Sequence, residues 1–328
     1  MRQRRIKIDA TESVAAYHCI SRTVNRERLF DARAREILRR QIWLLADYCG
    51  VEVVTYAVLS NHFHVLVRVP QRAPVDDTEL LRRHQALYPR PTKYQAERLE
   101  VVRQQLASNG PEGVAWRLRQ LALMGDISAY MKMVKQRFSI WFNKSHRRIG
   151  TLWAERFKSV LVETKPHSLR TVAAYIDLNA VRAGLATDPK DYRFCGYAEA
   201  VGGCALARTG LGIASPGKDW REIQAAYRLL LFGTGASPRK FGGGISPEAF
   251  AAVVQAGGQL PLTTVLRCRL RIFTDGAVLG SQAFVADQLE EYRRRTGKRE
   301  RTKARPLPPV AAWGDLAILR NLHRRPIG

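Results

Sequence analysis

Residues 51–69 constrain this chain more than any other stretch. Val51-Glu-Val-Val-Thr-Tyr-Ala-Val-Leu59 is a β-branched and aromatic run, hence a strand. Ser60 and Asn61 make a short turn, and His62-Phe-His-Val-Leu-Val-Arg-Val69 is a second strand, closed by Pro70. Upstream, residues 16–22 read as a short strand. Residues 31–49 read as a helix, with Ile37, Leu38, Ile42, Leu45 and Ala46 at helical spacing, Asp31 as N-cap and Gly50 as stop. Downstream, residues 126–143 repeat Ile127, Tyr130, Met131, Val134, Phe138 and Trp141 with helical periodicity, and 157–163 form another strand. Residues 166–183 follow as a helix, with Pro166 in its first turn and Gly184 after its end. The order β-α-β-β-α-β-α predicts an α+β fold: a ferredoxin-like antiparallel sheet with helices on one face.

The rest of the chain departs from that pattern. Residues 71–123 are rich in Arg, Gln and Glu, with prolines at 74, 89, 91 and 111, and predict a helical insertion on the surface. Residues 202–244 are rich in Gly and Ala around an amphipathic helix near 219–232. Residues 245–328 read as a separate tail region, with a helix at Ser281–Arg295 and a basic run at Arg293–Arg305. No internal repeat is visible.

Charge narrows the function. Lys and Arg total 54 against 29 Asp and Glu, a formal charge of +25 in 328 residues. A balance this basic points to a polyanion partner, nucleic acid before anionic membrane. No apolar run approaches the roughly 18 residues of a spanning helix, and Met1-Arg-Gln-Arg-Arg-Ile-Lys7 lacks the apolar stretch of a signal peptide. The expectation is a cytoplasmic, nucleoid-associated protein with no membrane partner. Five cysteines without a CxxC pair read as reduced, mostly buried thiols rather than disulfides or a zinc cage.

Two segments carry chemistry. Strand alternation puts His62, His64, Leu66 and Arg68 on one face and Phe63, Val65, Val67 and Val69 on the other. The apolar set goes to the core. Two imidazoles then sit side by side, roughly 7 Å apart at Cα, on the open side of the sheet. That placement suits one divalent cation, each ring giving one nitrogen; the plainer reading is two histidines each hydrogen-bonded to a neighbour. In Ala173-Ala-Tyr-Ile-Asp-Leu-Asn-Ala-Val-Arg182, Tyr175, Asn179 and Arg182 fall at i, i+4 and i+7, on one helical face. A tyrosine in an Ala-rich helix ordinarily packs in a core, but here its neighbours are polar. A phenol has a pKa near 10. A cation on a scissile phosphate would stabilise the developing charge and position the phosphorus for attack, giving a covalent phosphotyrosine.

His62-Phe63-His64 resembles the HUH motif, in which U is a bulky hydrophobic residue. Tyr175-Ile-Asp-Leu-Asn-Ala-Val-Arg-Ala-Gly-Leu185 is similar to the Tyr-Ile-x-x-Asn-Pro-Val-Arg-Ala-Gly signature of single-tyrosine transposases of the IS200-like superfamily, particularly the REP-associated tyrosine transposases of bacteria. Tyr17-His-Cys-Ile-Ser-Arg22 is similar to the family's first strand. Met131–Phe142 with Gly150-Thr-Leu-Trp-Ala-Glu-Arg-Phe-Lys158 resembles its "LKQ…WFN…GTLWQGRFKS" region, and Asp191-Tyr-Arg-Phe-Cys-Gly-Tyr197 its "DYPWSSY" segment. The resemblance spans roughly residues 10–203. It implies a nuclease domain there, interrupted by the insertion at about 71–123, and leaves 204–328 as a C-terminal extension of unassigned role. It also implies that His62 and His64 are metal ligands, Asn179 a third ligand, Tyr175 the nucleophile and Mg²⁺ or Mn²⁺ the metal. The implied reaction is cleavage of single-stranded DNA near hairpins, leaving a 5′-phosphotyrosine and a free 3′-hydroxyl, in DNA transposition. The wider group includes dimers that exchange the tyrosine helix as well as apparent monomers, so a homodimer is among the expected partners. Ala180 stands where the family usually has proline.

Between Lys132 and Lys158, cations alternate with Trp141, Phe142 and Trp153, the profile of a single-strand binder. The expected DNA contacts are Arg22, Lys132, Lys135, Arg137, Arg156, Lys158 and Arg182. Arg293–Arg305 reads as a mobile basic tail, and Thr274–Ser281 with the helix after it as either an added DNA-binding module or a structural cap. Two rival functions stay open: a non-catalytic DNA-binding regulator, and an RNA-binding protein on the same kind of sheet.

Overall fold

The computed structural model describes residues 5–233, 261–267, 272–297, 303–308 and 311–320. Its centre is the strand pair β2 (Glu52–Val58) and β3 (His62–Val69), paired antiparallel. Strand β1 (Ala15–Arg22) lies antiparallel on the other side of β3, and β4 (Lys158–Val162) antiparallel on the far side of β1. The order β2-β3-β1-β4 is the ferredoxin-like arrangement, and the predicted α+β fold holds.

Two helices cross one face of this sheet. Helix α1 (Ala32–Cys49) is capped by Asp31, whose carboxylate accepts from the Ala34 N–H, and closed by Gly50 at φ 62°, a conformation that favours glycine. Its buried residues Leu38, Ile42 and Leu45 recur at the predicted helical spacing. Helix α5 (Ile127–Ser145) is capped by Asp126 and packs on α1 through Tyr130, Met131, Val134 and Phe138. Phe63, Val65 and Val67 of β3, with Tyr17 and Cys19 of β1, face these helices, as the strand parity requires.

The opposite face was expected to be open. Instead α6 (Pro166–Asp177), α8 (Gly196–Val201) and α9 (Ala205–Ala214) pack on it against β2, with α10 (Trp220–Phe232) against α6 and α9. Gly210 permits the close approach of α9, since a Cβ there would meet the Val53 carbonyl oxygen at 2.2 Å. The predicted single helix 166–183 is α6 followed by a four-residue turn, α7 (Asn179–Arg182).

Residues 71–123 are helical, as expected: α2 (Asp77–Leu87), α3 (Lys93–Ala107) and α4 (Pro111–Leu121). They enclose their own small core of Leu80, Val102, Leu106, Trp116 and Met124.

The reading of 245–328 as a separate tail is corrected in its described part. Strand β5 (Gly276–Ser281) pairs parallel with β4, and β7 (Leu316–Arg320) and β6 (Arg305–Pro306) follow it, extending the sheet to seven strands. Most of the Thr274–Ser281 segment, Gly276–Ser281, is thus a strand of the main sheet, preceded by the short helix Ile272–Asp275 and followed by the helix Gln282–Thr296. The sequence missed this because each strand is short and joins through β4 rather than through a local hairpin. Residues 298–302 of the basic run, residues 234–244 and Cys268 lie outside the described residues. Cys19, Cys49, Cys195 and Cys204 are free thiols, the first three buried.

Candidate active site

Register assembles the site from the second face of the sheet. Arg22 of β1 lies opposite His62 and Ile20 opposite His64, so His18, Ile20 and Arg22 share the face of the two histidines. Lys158 lies opposite Ile20 and joins the same face from β4. His62 is half-buried, its ring centroid 5.2 Å from that of His64. His64 is only 2% exposed, not open to solvent as expected, because the covering helices and the turn Ile272–Asp275 close over it. Burial, then His18 and His62 nearby, holds its pKa well below the ordinary histidine value. His18, fully buried, has its pKa pushed down to about 3, chiefly by burial; the Phe273 carbonyl opposes this and Arg182 adds to it.

Helix α6 brings the tyrosine to these rings. The Tyr175 centroid is 6.4 Å from His64 and 6.3 Å from His18. The ring is 3% exposed, stacked on Phe273 at 4.4 Å on one side and under the Arg182 guanidinium at 4.0 Å. Asn179 donates its amide to the carbonyls of Ile176 (3.0 Å) and Tyr175 (3.4 Å), so its Oδ1 is the atom that could act as an acceptor or ligand. Arg182 also donates to the Tyr175 carbonyl, at 2.5 Å, and to that of Leu266 at 2.7 Å.

The helix is pinned from behind by Asp177. Its carboxylate accepts from Tyr227 OH (2.6 Å), Thr55 Oγ1 (2.8 Å) and the Tyr197 N–H (3.2 Å). Burial nonetheless pushes its pKa up to about 7, against those three donors.

Cations divide between two places. Arg22, Arg156 and Lys158 line one small pocket with Ile20, Ser21, Thr274 and Glu155, beside His62 on the site face. Lys132, Lys135 and Arg137 sit on α5, across the sheet. Lys132 is exposed. Lys135 donates to the Glu155 carbonyl and lies over Trp153, and burial lowers its pKa to about 8. Arg137 lies over Tyr88 of the insertion region. The expected stacking aromatics are structural: Trp153 and Phe142 are buried with Phe138 and Phe30 in the core.

Residues 11–80 match the family model described as Transposase IS200 like, which spans β1, α1 and the strand pair with both histidines. Over these residues the chain is similar to IS200-like transposases. A solved structure of a REP-associated tyrosine transposase bound to a REP hairpin is also similar, at 14% identity and a TM-score of 0.38, covering 62% of this chain and 86% of that one. No curated protein matches.

The IS200-like segment ends before Tyr175, so the tyrosine joins its histidines through the fold described above. Among the described residues, no group of three or more His, Cys, Asp or Glu side chains is arranged to hold a metal ion. The adjacent imidazoles of His62 and His64 are the nitrogen donors that could hold a cation here. Two residues at the site went unread in the sequence. His18 was legible in principle, since pairing β1 with β3 puts it on the histidine face; Phe273 had no local signal. Among the described residues no helix is long and apolar enough to cross a membrane.

Proposed function

We propose that this chain is an IS200-like transposase, a DNA strand transferase that cuts single-stranded DNA with Tyr175. The observation that carries the reading is the placement of Tyr175 within 6.4 Å of His64, ring to ring, although 111 residues separate them in sequence. In the proposed step Tyr175 Oη gives up its proton and bonds to a backbone phosphorus, the P–O3′ bond breaks, and the departing O3′ takes up a proton, so that one proton is released and one consumed. The product is a 5′-phosphotyrosine and a free 3′-hydroxyl, and attack by a 3′-hydroxyl on that linkage reverses the step and reseals DNA. His62, His64 and Asn179 would hold Mg²⁺ or Mn²⁺, which supplies positive charge to the phosphate as negative charge develops there. Arg22, Arg156 and Lys158 suit the strand's phosphates next to the site, and Lys132 gives an exposed cation on α5. Arg182 holds Tyr175 rather than DNA.

The burial of Tyr175 beneath Phe273 favours one second reading, a binder on this fold that does not cut. One experiment separates the two. A labelled single-stranded hairpin is incubated with the protein and Mg²⁺ or Mn²⁺, then run under denaturing conditions. A slow-migrating adduct that disappears in Tyr175→Phe supports the transferase. Retarded DNA in native gels with no adduct in any metal supports the silent binder.

A further inference from the structure

Each candidate ligand histidine meets a polar partner at Nδ1, and each partner is itself anchored. Asn61 donates from Nδ2 to the Arg26 carbonyl at 2.9 Å, so its Oδ1 faces His62 Nδ1, at 2.6 Å, as an acceptor. His62 Nδ1 therefore carries a proton, and in the neutral ring the lone pair is on Nε2.

His18 repeats this one step removed. Its Nδ1 lies 2.9 Å from the Phe273 carbonyl oxygen, which can only accept, so Nδ1 carries the proton. His18 Nε2 then holds a lone pair, 2.9 Å from His64 Nδ1. The proton in that contact belongs to His64, and the His64 lone pair is left on Nε2. The alternative, protons on both His18 nitrogens, would make a fully buried cation with Arg182 as its charged neighbour.

We propose that His18 is a positioning residue: anchored by the Phe273 carbonyl, it holds His64 in the Nδ1–H tautomer so that His62 and His64 both offer Nε2 to one divalent cation. Histidines that bind metals commonly donate their other N–H to an acceptor that fixes ring and tautomer. Here the chain of donors runs from His64 through His18 to Phe273, in the C-terminal region and beyond the segment that matches the family model. The role given to His18 rests on the metal-site reading above; the tautomer does not.

Nitrogen-15 NMR of the histidine rings in the metal-free wild-type protein reads the tautomers directly. The expected result is Nδ1–H for His18, His62 and His64. A proton on Nε2 of His64 overturns the proposal, even if metal still binds. Mn²⁺ titration tests the consequence. His18→Leu removes the acceptor and is expected to weaken Mn²⁺ binding by about 10- to 100-fold. His18→Gln, whose amide can donate to Phe273 and accept from His64, is expected to recover most of that loss. Unchanged Mn²⁺ affinity in a folded His18→Leu protein contradicts the positioning role. Nδ1–H tautomers in a wild-type protein that binds no Mn²⁺ overturn the metal site and, with it, the role given to His18.

Discussion

The two halves of the sheet contribute differently to one site. Strands β1 to β4 carry the chemical groups: His62 and His64 on β3, His18 and Arg22 on β1, Lys158 on β4, with Tyr175 delivered by the helix after β4. Strands β5 to β7 carry none of them, yet the turn leading into β5 places Phe273 against Tyr175 and His18. In the proposed reaction the first half would supply reactivity and the second enclosure. The strand pair with the two histidines is therefore not a finished site: the layer that sets ring orientation comes from about two hundred residues further along the chain.

The sharpest way to break this comparison is to remove a group from each half. His64→Ala is expected to abolish metal-dependent nicking in the hairpin assay while single-stranded DNA still binds; nicking at the wild-type rate would remove β3 from the chemistry. On the other side, Leu279→Ala truncates a fully buried residue of β5 opposite Val162. It is expected to cost about 2–5 kcal/mol of unfolding free energy, read by denaturant melts. A melt unchanged from wild type would mean that the added strands are not part of the main cooperative unit.

Asp177 tests the layer between the halves. Its carboxyl is shifted up to about 7 from an ordinary 3.8, so the folded state holds the proton more tightly than the unfolded chain does. Its contribution to stability is fully present below pH ~4 and is lost as pH rises toward ~7. Asp177→Asn is expected to flatten that decline, whose slope is at most about 1.4 kcal/mol per pH unit. A wild-type pH profile in the variant would place the titration elsewhere.

Smaller effects sharpen the picture further. Phe273→Leu keeps the backbone carbonyl but removes the ring stacked on Tyr175, an interaction of about 0.5–1.5 kcal/mol. Adduct formation is expected to speed up several-fold as the phenol becomes easier to reach; a slower rate would show that the ring holds Tyr175 in its reactive position. Smallest of all, Arg156→Ala or Lys158→Ala is expected to reduce the slope of log binding constant against log salt by about one each. Arg137→Ala, across the sheet, should leave that slope unchanged.

What the sequence disclosed follows the same division. Local signals were sufficient wherever an element is defined by its own neighbours. The Asp31 cap, the Gly50 stop and the alternation of residues 62–69 put α1 and β3 at their observed places. The spacing of Tyr175, Asn179 and Arg182 foretold a shared face, and both Asn179 and Arg182 do return to the Tyr175 carbonyl. What depended on distant pairing was not legible. Parity shows which residues of β3 share a face, but not whether that face is covered, so buried His64 was expected in the open. His18 lay inside a quoted motif and gains meaning only from the β1–β3 register. Phe273 reaches the site because β5 joins β4 in parallel, a pairing without a turn signature. The aromatics among the Lys132–Lys158 cations show the same limit, since composition does not distinguish a stacking ring from a core ring.

Peptide mapping shows whether Tyr175 is the nucleophile. The protein is allowed to react with a single-stranded hairpin and Mn²⁺, digested with nuclease and trypsin, and the peptide Thr171–Arg182 is analysed by mass spectrometry. The account predicts a 5′-phosphorylated nucleotide fragment attached to Tyr175. An unmodified Thr171–Arg182 peptide from protein that has cut its DNA, or the fragment on a different tyrosine, would contradict it.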